Sequence, residues 1–275
     1  MINREKLEEF LKGIAISVVI IVIFTIIFWI MTNYPHLKYH FKLSRQTFPY
    51  GIFSSNFGHN YQEHLVNNSI VMLIFGPIFF YYLGGKQGIF YFILIGIGAH
   101  LLGFITMEIV RIYLEQKNSN LTIFSSSTGS SGVLSGIMFF VSFELFKSLY
   151  KSVKENRKMT EGEREDFLTM KNIILKVIPP FFPAYLLIER IAADLKALFL
   201  ELALQTSESE PDFLTTLFSD VSKFIPLGSD TGNAYLGHFW GVVVVIIFIK
   251  QGWIKTQFQK QNENHQNSSN SAKSS

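Results

Sequence analysis

The chain contains no cysteine, which excludes disulfides, zinc thiolates and thiol nucleophiles and leaves no trace of its redox compartment. Charge is scarce as well, at 16% of 275 residues. No small-residue cleavage site follows the first apolar run, so that run is expected to be retained as a span and not removed as a signal peptide. There is no His-Glu-x-x-His, no internal repeat and no phosphate-cradling glycine loop, and nothing in the chain points to nucleic acid as a partner. What fills the sequence instead is apolar: 48% hydrophobic residues, 28 of them Phe, with a positive mean hydropathy. Such a composition describes an all-α polytopic membrane protein.

Spans are expected at about 13–31, 64–83, 88–107, 127–146, 173–190 and 233–250, each near the ~20 residues that cross hydrocarbon. The fifth contains Lys176, Pro179, Pro180 and Pro183, and proline removes a backbone donor inside a helix, so a kink is expected there. The chain thus divides into a short cytoplasmic segment (1–12), a six-helix membrane domain (13–250) and a polar tail (251–275) expected to be disordered. Of the 24 Lys and Arg, 16 fall on the N-terminus, the 84–87 turn, the 147–176 connector and the C-terminal tail counted from Lys250. The positive-inside rule then puts both termini in the cytoplasm. The 147–176 stretch reads as a solvated connector, and 191–204 as an interfacial helix or a continuation of span five.

Against this apolar background a few polar residues stand out. Ser131 lies in Gly129-Ser130-Ser131-Gly132-Val133-Leu134-Ser135-Gly136, about a turn into span four, and His238 about a turn and a half into span six. Both are counted from the outer ends, and His59, His64 and Asn68 gather at the outer end of span two. Ionisable groups inside a membrane are expensive and point to function. Gly132-x-x-x-Gly136 and Gly237-x-x-x-Gly241 are small-residue motifs that let helix backbones approach, so spans four and six can touch.

Three separated motifs, Gly129-x-Ser131-Gly132 with Gly136, His238-Phe239-Trp240-Gly241, and His59-x4-His64-x3-Asn68, together resemble the rhomboid family of intramembrane serine proteases. The resemblance covers roughly residues 10–250 and implies a six-transmembrane-helix bundle in which Ser131 is the nucleophile and His238 the general base. It implies that His64, Asn68 and the Ser131 backbone N–H stabilise the oxyanion, that His59 supports the loop and water network above the site, and that no cofactor is required. The implied partners are the lipid bilayer and membrane-protein substrates with helix-destabilised transmembrane segments. Three positions depart from the family pattern: the loop at 32–63 lacks a Trp-Arg pair, Val245 replaces a frequent glycine, and Ser135 stands where some members place a Tyr. The residue usage, heavy in Ile, Phe, Lys and Asn, suggests a prokaryotic plasma membrane.

A serine in a membrane helix is usually a packing or back-bonding residue, and a lone histidine is as often a packing residue as a base. A metal site from His59, His64, His238 and Glu63 is disfavoured, because His-x4-His misses the i, i+4 register. A transporter would carry its polar residues nearer the midplane. His100 is expected to be structural, and Glu63 and Glu108 are near enough to helix ends to reach water. The competing functional class is a catalytically inactive rhomboid-like protein that binds and escorts membrane proteins; such relatives usually lose the serine or the histidine.

Overall fold

A computed structural model describes residues 4–116, 129–156, 181–192 and 237–254. These are helical with short connections: α1 (Arg4–Asn33), α2 (Pro35–Lys38) leading into a 3-10 turn (Tyr39–Phe41), α3 (Gly51–Ser54), α4 (Gln62–Leu83), α5 (Gly85–Gln116), α6 (Ser131–Asn156), α7 (181–192) and α8 (Gly237–Lys250). Four of them, α1, α4, α5 over Gly85–Ile109 and α6 over Ser131–Lys151, are long and apolar enough to cross a membrane. α8 is apolar but has 14 residues, a rise of only about 21 Å against a hydrocarbon layer of about 30 Å. Residues 233–236 of the expected sixth span and 173–180 of the fifth, with Pro179 and Pro180, lie outside the described residues, as do 193–204 and the tail from 255. Pro183 sits within helical α7.

The bundle core is made by α4, α5 and α6, whose Met72, Phe79, Phe80, Ile95, Leu134, Ile137, Met138 and Phe140 are almost wholly enclosed. Outward faces are equally apolar: Val18, Val19, Val22 and Ile26 on α1, Ile70 and Leu73 on α4, and Phe90 and Ile105 on α5 are all exposed. Aliphatic side chains on both faces of a helix are stable only where the outer solvent is lipid. The architecture is therefore an all-α polytopic membrane bundle.

Close approach explains the layout. α1 lies along α4 because Gly13 and Gly76 leave room: a Cβ on Gly13 would stand 2.7 Å from the Pro77 carbonyl oxygen, and one on Gly76 would collide with Ser17 Oγ. α4 turns into α5 within Leu83–Gly85, where Gly84 at φ 80° donates its N–H to Phe80 O at 2.7 Å. A side chain at that φ would be strained, so the glycine permits the tight reversal.

Two boundaries differ from expectation. α6 starts at Ser131, not at 127, because Gly129 adopts φ 111°, outside the helical region, and gives its N–H to Ser55 O at 2.7 Å. Ser131 therefore opens the helix instead of lying a turn inside it. α6 also runs on to Asn156, ten residues into the stretch read as a connector. Lys, Glu and Leu are good helix formers, and Lys147 reaches back to Glu144 at 3.4 Å, so charge here decorates a helix and does not end it. The loop at 32–63, whose structure the sequence left open, folds against α5: Phe48 stacks on Phe104 with centroids 5.0 Å apart, Arg45 Nε lies 2.9 Å from the Glu108 carboxylate, and the Phe48–Pro49 peptide is cis.

Candidate active site

Ser131 is buried at the first position of α6. The first N–H groups of a helix have no intrahelical partner and lie at the positive end of its dipole, so this position offers donors to a nearby anion. The local turn is fixed by Leu134 N–H on Ser130 O at 2.9 Å. One turn on, Ser135 Oγ donates to the Ser131 carbonyl at 2.9 Å. That hydroxyl is thus engaged along its own helix, where some relatives place a tyrosine.

His238 is the second residue of α8 and is partly buried. Three glycines bring its helix onto α6. A Cβ on Gly132 would lie 2.9 Å from Gly237 O, one on Gly136 would lie 2.8 Å from Gly241 O, and one on Gly241 would overlap the Gly132 carbonyl. The two backbones therefore meet within one residue of both Ser131 and His238. Val245, in place of the frequent glycine, is fully buried beside Gly136.

On the opposite side α4 presents His64 and Asn68 one turn apart, with Asn68 buried and His64 partly so. His64 overhangs Gly129: a Cβ there would stand 2.5 Å from His64 Cε1. The loop ahead of Ser131 and the N-terminal end of α4 are therefore in direct contact. His59 is buried between α1 and α4, its ring 5.2 Å from that of His64 and 5.1 Å from Phe24.

The hydrogen bonds of His59 fix two assignments. Its Nδ1 is 3.2 Å from Phe57 O and its Nε2 is 3.1 Å from Asn68 Nδ2. A carbonyl only accepts, so Nδ1 carries the proton; Nε2 of the neutral ring then accepts, and the Asn68 amide must turn its NH2 toward it. Burial, aided by the positive potential of His64, pushes the His59 imidazole down to about 3. His59 thus lies inside the fold and holds Asn68.

His100 is buried and donates Nδ1–H to Gly96 O at 3.0 Å, an in-helix bond. Glu63 is exposed in the first turn of α4, and Glu108 is tied to Arg45. Sequence reasoning did not find the Ser55 carbonyl, Phe24 or the Trp240–Thr106 hydrogen bond of 2.9 Å between α8 and α5. Their partners stand far along the chain, and no local pattern links them.

A helical membrane bundle that gathers a serine, a histidine pair and an asparagine on glycine-lined helix ends narrows the class to membrane-embedded proteins with a polar site. The particular resemblance follows from comparison: residues 46–158 match the Rhomboid domain. The matched segment includes His59, His64, Asn68 and Ser131; His238 lies beyond it. The family consists mostly of intramembrane serine proteases and includes inactive relatives. No curated protein and no solved structure matches the chain.

Proposed function

We propose that the protein is an intramembrane serine endopeptidase that cuts membrane proteins within or beside their transmembrane segments. The observation that carries this reading is the glycine contact of α6 and α8, which sets backbones against each other beside Ser131 and His238. Ser131 Oγ attacks the scissile carbonyl carbon while His238 takes its proton. The tetrahedral oxyanion is stabilised by the Ser131 N–H at the head of α6, by His64, and by the Asn68 N–H not engaged by His59. Collapse breaks the C–N bond, His238 returns the proton to the leaving amine, and an acyl ester remains on Ser131. A water molecule, deprotonated by His238, then releases the carboxylic acid and regenerates the hydroxyl.

A substrate helix must be locally unwound, since its amides are shielded by their own hydrogen bonds. We place the site near the outer face of a six-span bundle with both termini in the cytoplasm, in a prokaryotic plasma membrane. The entry wall is the fifth span: α7 rests on α4 through Phe182 and Phe75, 6.1 Å apart, and on α6 through Phe181 and Phe146, 5.0 Å apart. Cross-linking α4 to α7 stops cleavage if that wall moves; undiminished cleavage removes it from the mechanism.

The deciding experiment is cleavage of a fluorogenic transmembrane reporter in liposomes by wild type, Ser131→Ala and His238→Ala, all shown to be folded. The expected result is activity in wild type and none in either variant. Activity surviving in Ser131→Ala overturns the assignment, and a folded wild type that neither cleaves nor reacts at Ser131 with a serine-directed probe makes it an inactive, binding relative.

A further inference from the structure

We infer that Trp240 and Thr106 are positioning residues that set the rotation of α8 about its own axis, and so the placement of the His238 imidazole; the inference rests on the protease reading for its catalytic consequence. It begins from a weakness in the α6–α8 contact. Glycines permit close approach but offer no side chains to interdigitate, so the Gly132–Gly237–Gly241 seam leaves rotation poorly fixed at that level. On a helix with about 100° per residue, Gly237 and Gly241 point within about 40° of each other, while His238 and Trp240 fall on opposite flanks of that stripe, about 160° apart.

Trp240 reaches from its flank to α5. Its Nε1–H donates to Thr106 Oγ1 at 2.9 Å, and Thr106 gives its own proton to Leu102 O at 2.9 Å. Every proton in this chain has a defined acceptor, so the hydroxyl is held facing the indole. A second contact of α8 with α5, Val244 against Gly98, lies one turn further along α8. Leverage makes the bond matter: an imidazole about 5–6 Å from the helix axis moves about 1 Å when the helix turns by about 10°. Misplacement of about 1 Å can slow a positioned reaction by up to about a hundredfold.

The test has one arm that does not require activity. Because the chain lacks cysteine, the pair Ser131→Cys/His238→Cys in full-length protein in liposomes reports approach of the two positions through its rate of disulfide formation under copper-phenanthroline, which accepts the two electrons. Thr106→Val, which keeps the shape and removes the acceptor, is expected to slow closure at least about fivefold, while Thr106→Ser, which keeps the hydroxyl, leaves it unchanged. In the intact dyad, Thr106→Val and Trp240→Phe should each lower kcat per titrated active site about tenfold with little change in KM, and the double variant should be no worse than the poorer single. A purely structural role would lower the fraction of titratable protein and leave kcat per site intact. Closure in Thr106→Val at the rate of the parent pair overturns the inference. If wild type proves inactive, the protease reading fails and the cross-linking rate still decides the positioning claim.

Discussion

The two sides of the site are held by opposite means. On the Ser131–His238 side, α6 and α8 meet through glycine, backbone on backbone, with no room for one added carbon. On the His64–Asn68 side, the N-terminal end of α4 is held by a chain of directed hydrogen bonds, Asn68 to His59 and His59 to Phe57 O. Lipid gives helices no hydrophobic reason to associate, so contact must come from dispersion at short range or from polar groups that have no better partner. The seam is therefore sensitive to bulk, and the polar side to loss of a donor or an acceptor.

Substitutions can separate these sensitivities. The largest effect is expected from Gly241→Val, which drives a side chain into the Gly132 carbonyl. Cleavage should vanish, and stability in mild detergent should fall by at least about 1–3 kcal/mol; wild-type activity would break the seam side of the comparison. On the proposed protease reading, Asn68→Ala should fold but lose about 10²–10³ in kcat, with KM little changed.

His59→Phe fills the same space without the acceptor, and should cost about 1–3 kcal/mol by leaving the Asn68 amide unpaired in the interior. It should also change the response to acid. The His59 imidazole is held down to about 3 when folded and titrates near its ordinary value of 6.5 when unfolded. The stability it contributes is thus complete above pH 6.5 and is lost as pH falls through that window toward 3. Melting temperature measured between pH 7 and 4 should decline in wild type and decline less in His59→Phe; identical slopes would remove His59 from the acid response. The smallest effect is expected from Arg45→Gln, because the arginine side chain of the pair with Glu108 is 55% exposed. A change under about 1 kcal/mol, shrinking further with salt, is expected.

Much of the candidate site's local geometry was legible in the chain because its elements are local. The spacing of His59, His64 and Asn68 specifies one end of a helix, and the glycines four apart announce a close contact without naming the partner atoms. The start of α6 was misjudged by four residues because apolarity and serine content do not register that Gly129 leaves the helical region; the cause is His64 above it and the Ser55 carbonyl beside it. Charge misled at the other end, where Lys147–Asn156 reads as a connector and is helix. Helix propensity and membrane depth are separate properties, and a helix can leave the bilayer without ending.

By itself, then, the sequence determined that this is a helical membrane protein and where four of its apolar spans lie, since each follows from composition or short spacing. Only the tertiary structure decided that Ser131 heads its helix, that His59 is turned inward to hold Asn68, and that Trp240 ties α8 to α5. Those depend on partners 9 to 134 residues away, and the energy of such contacts is a function of distance in space, which no local pattern in the chain encodes.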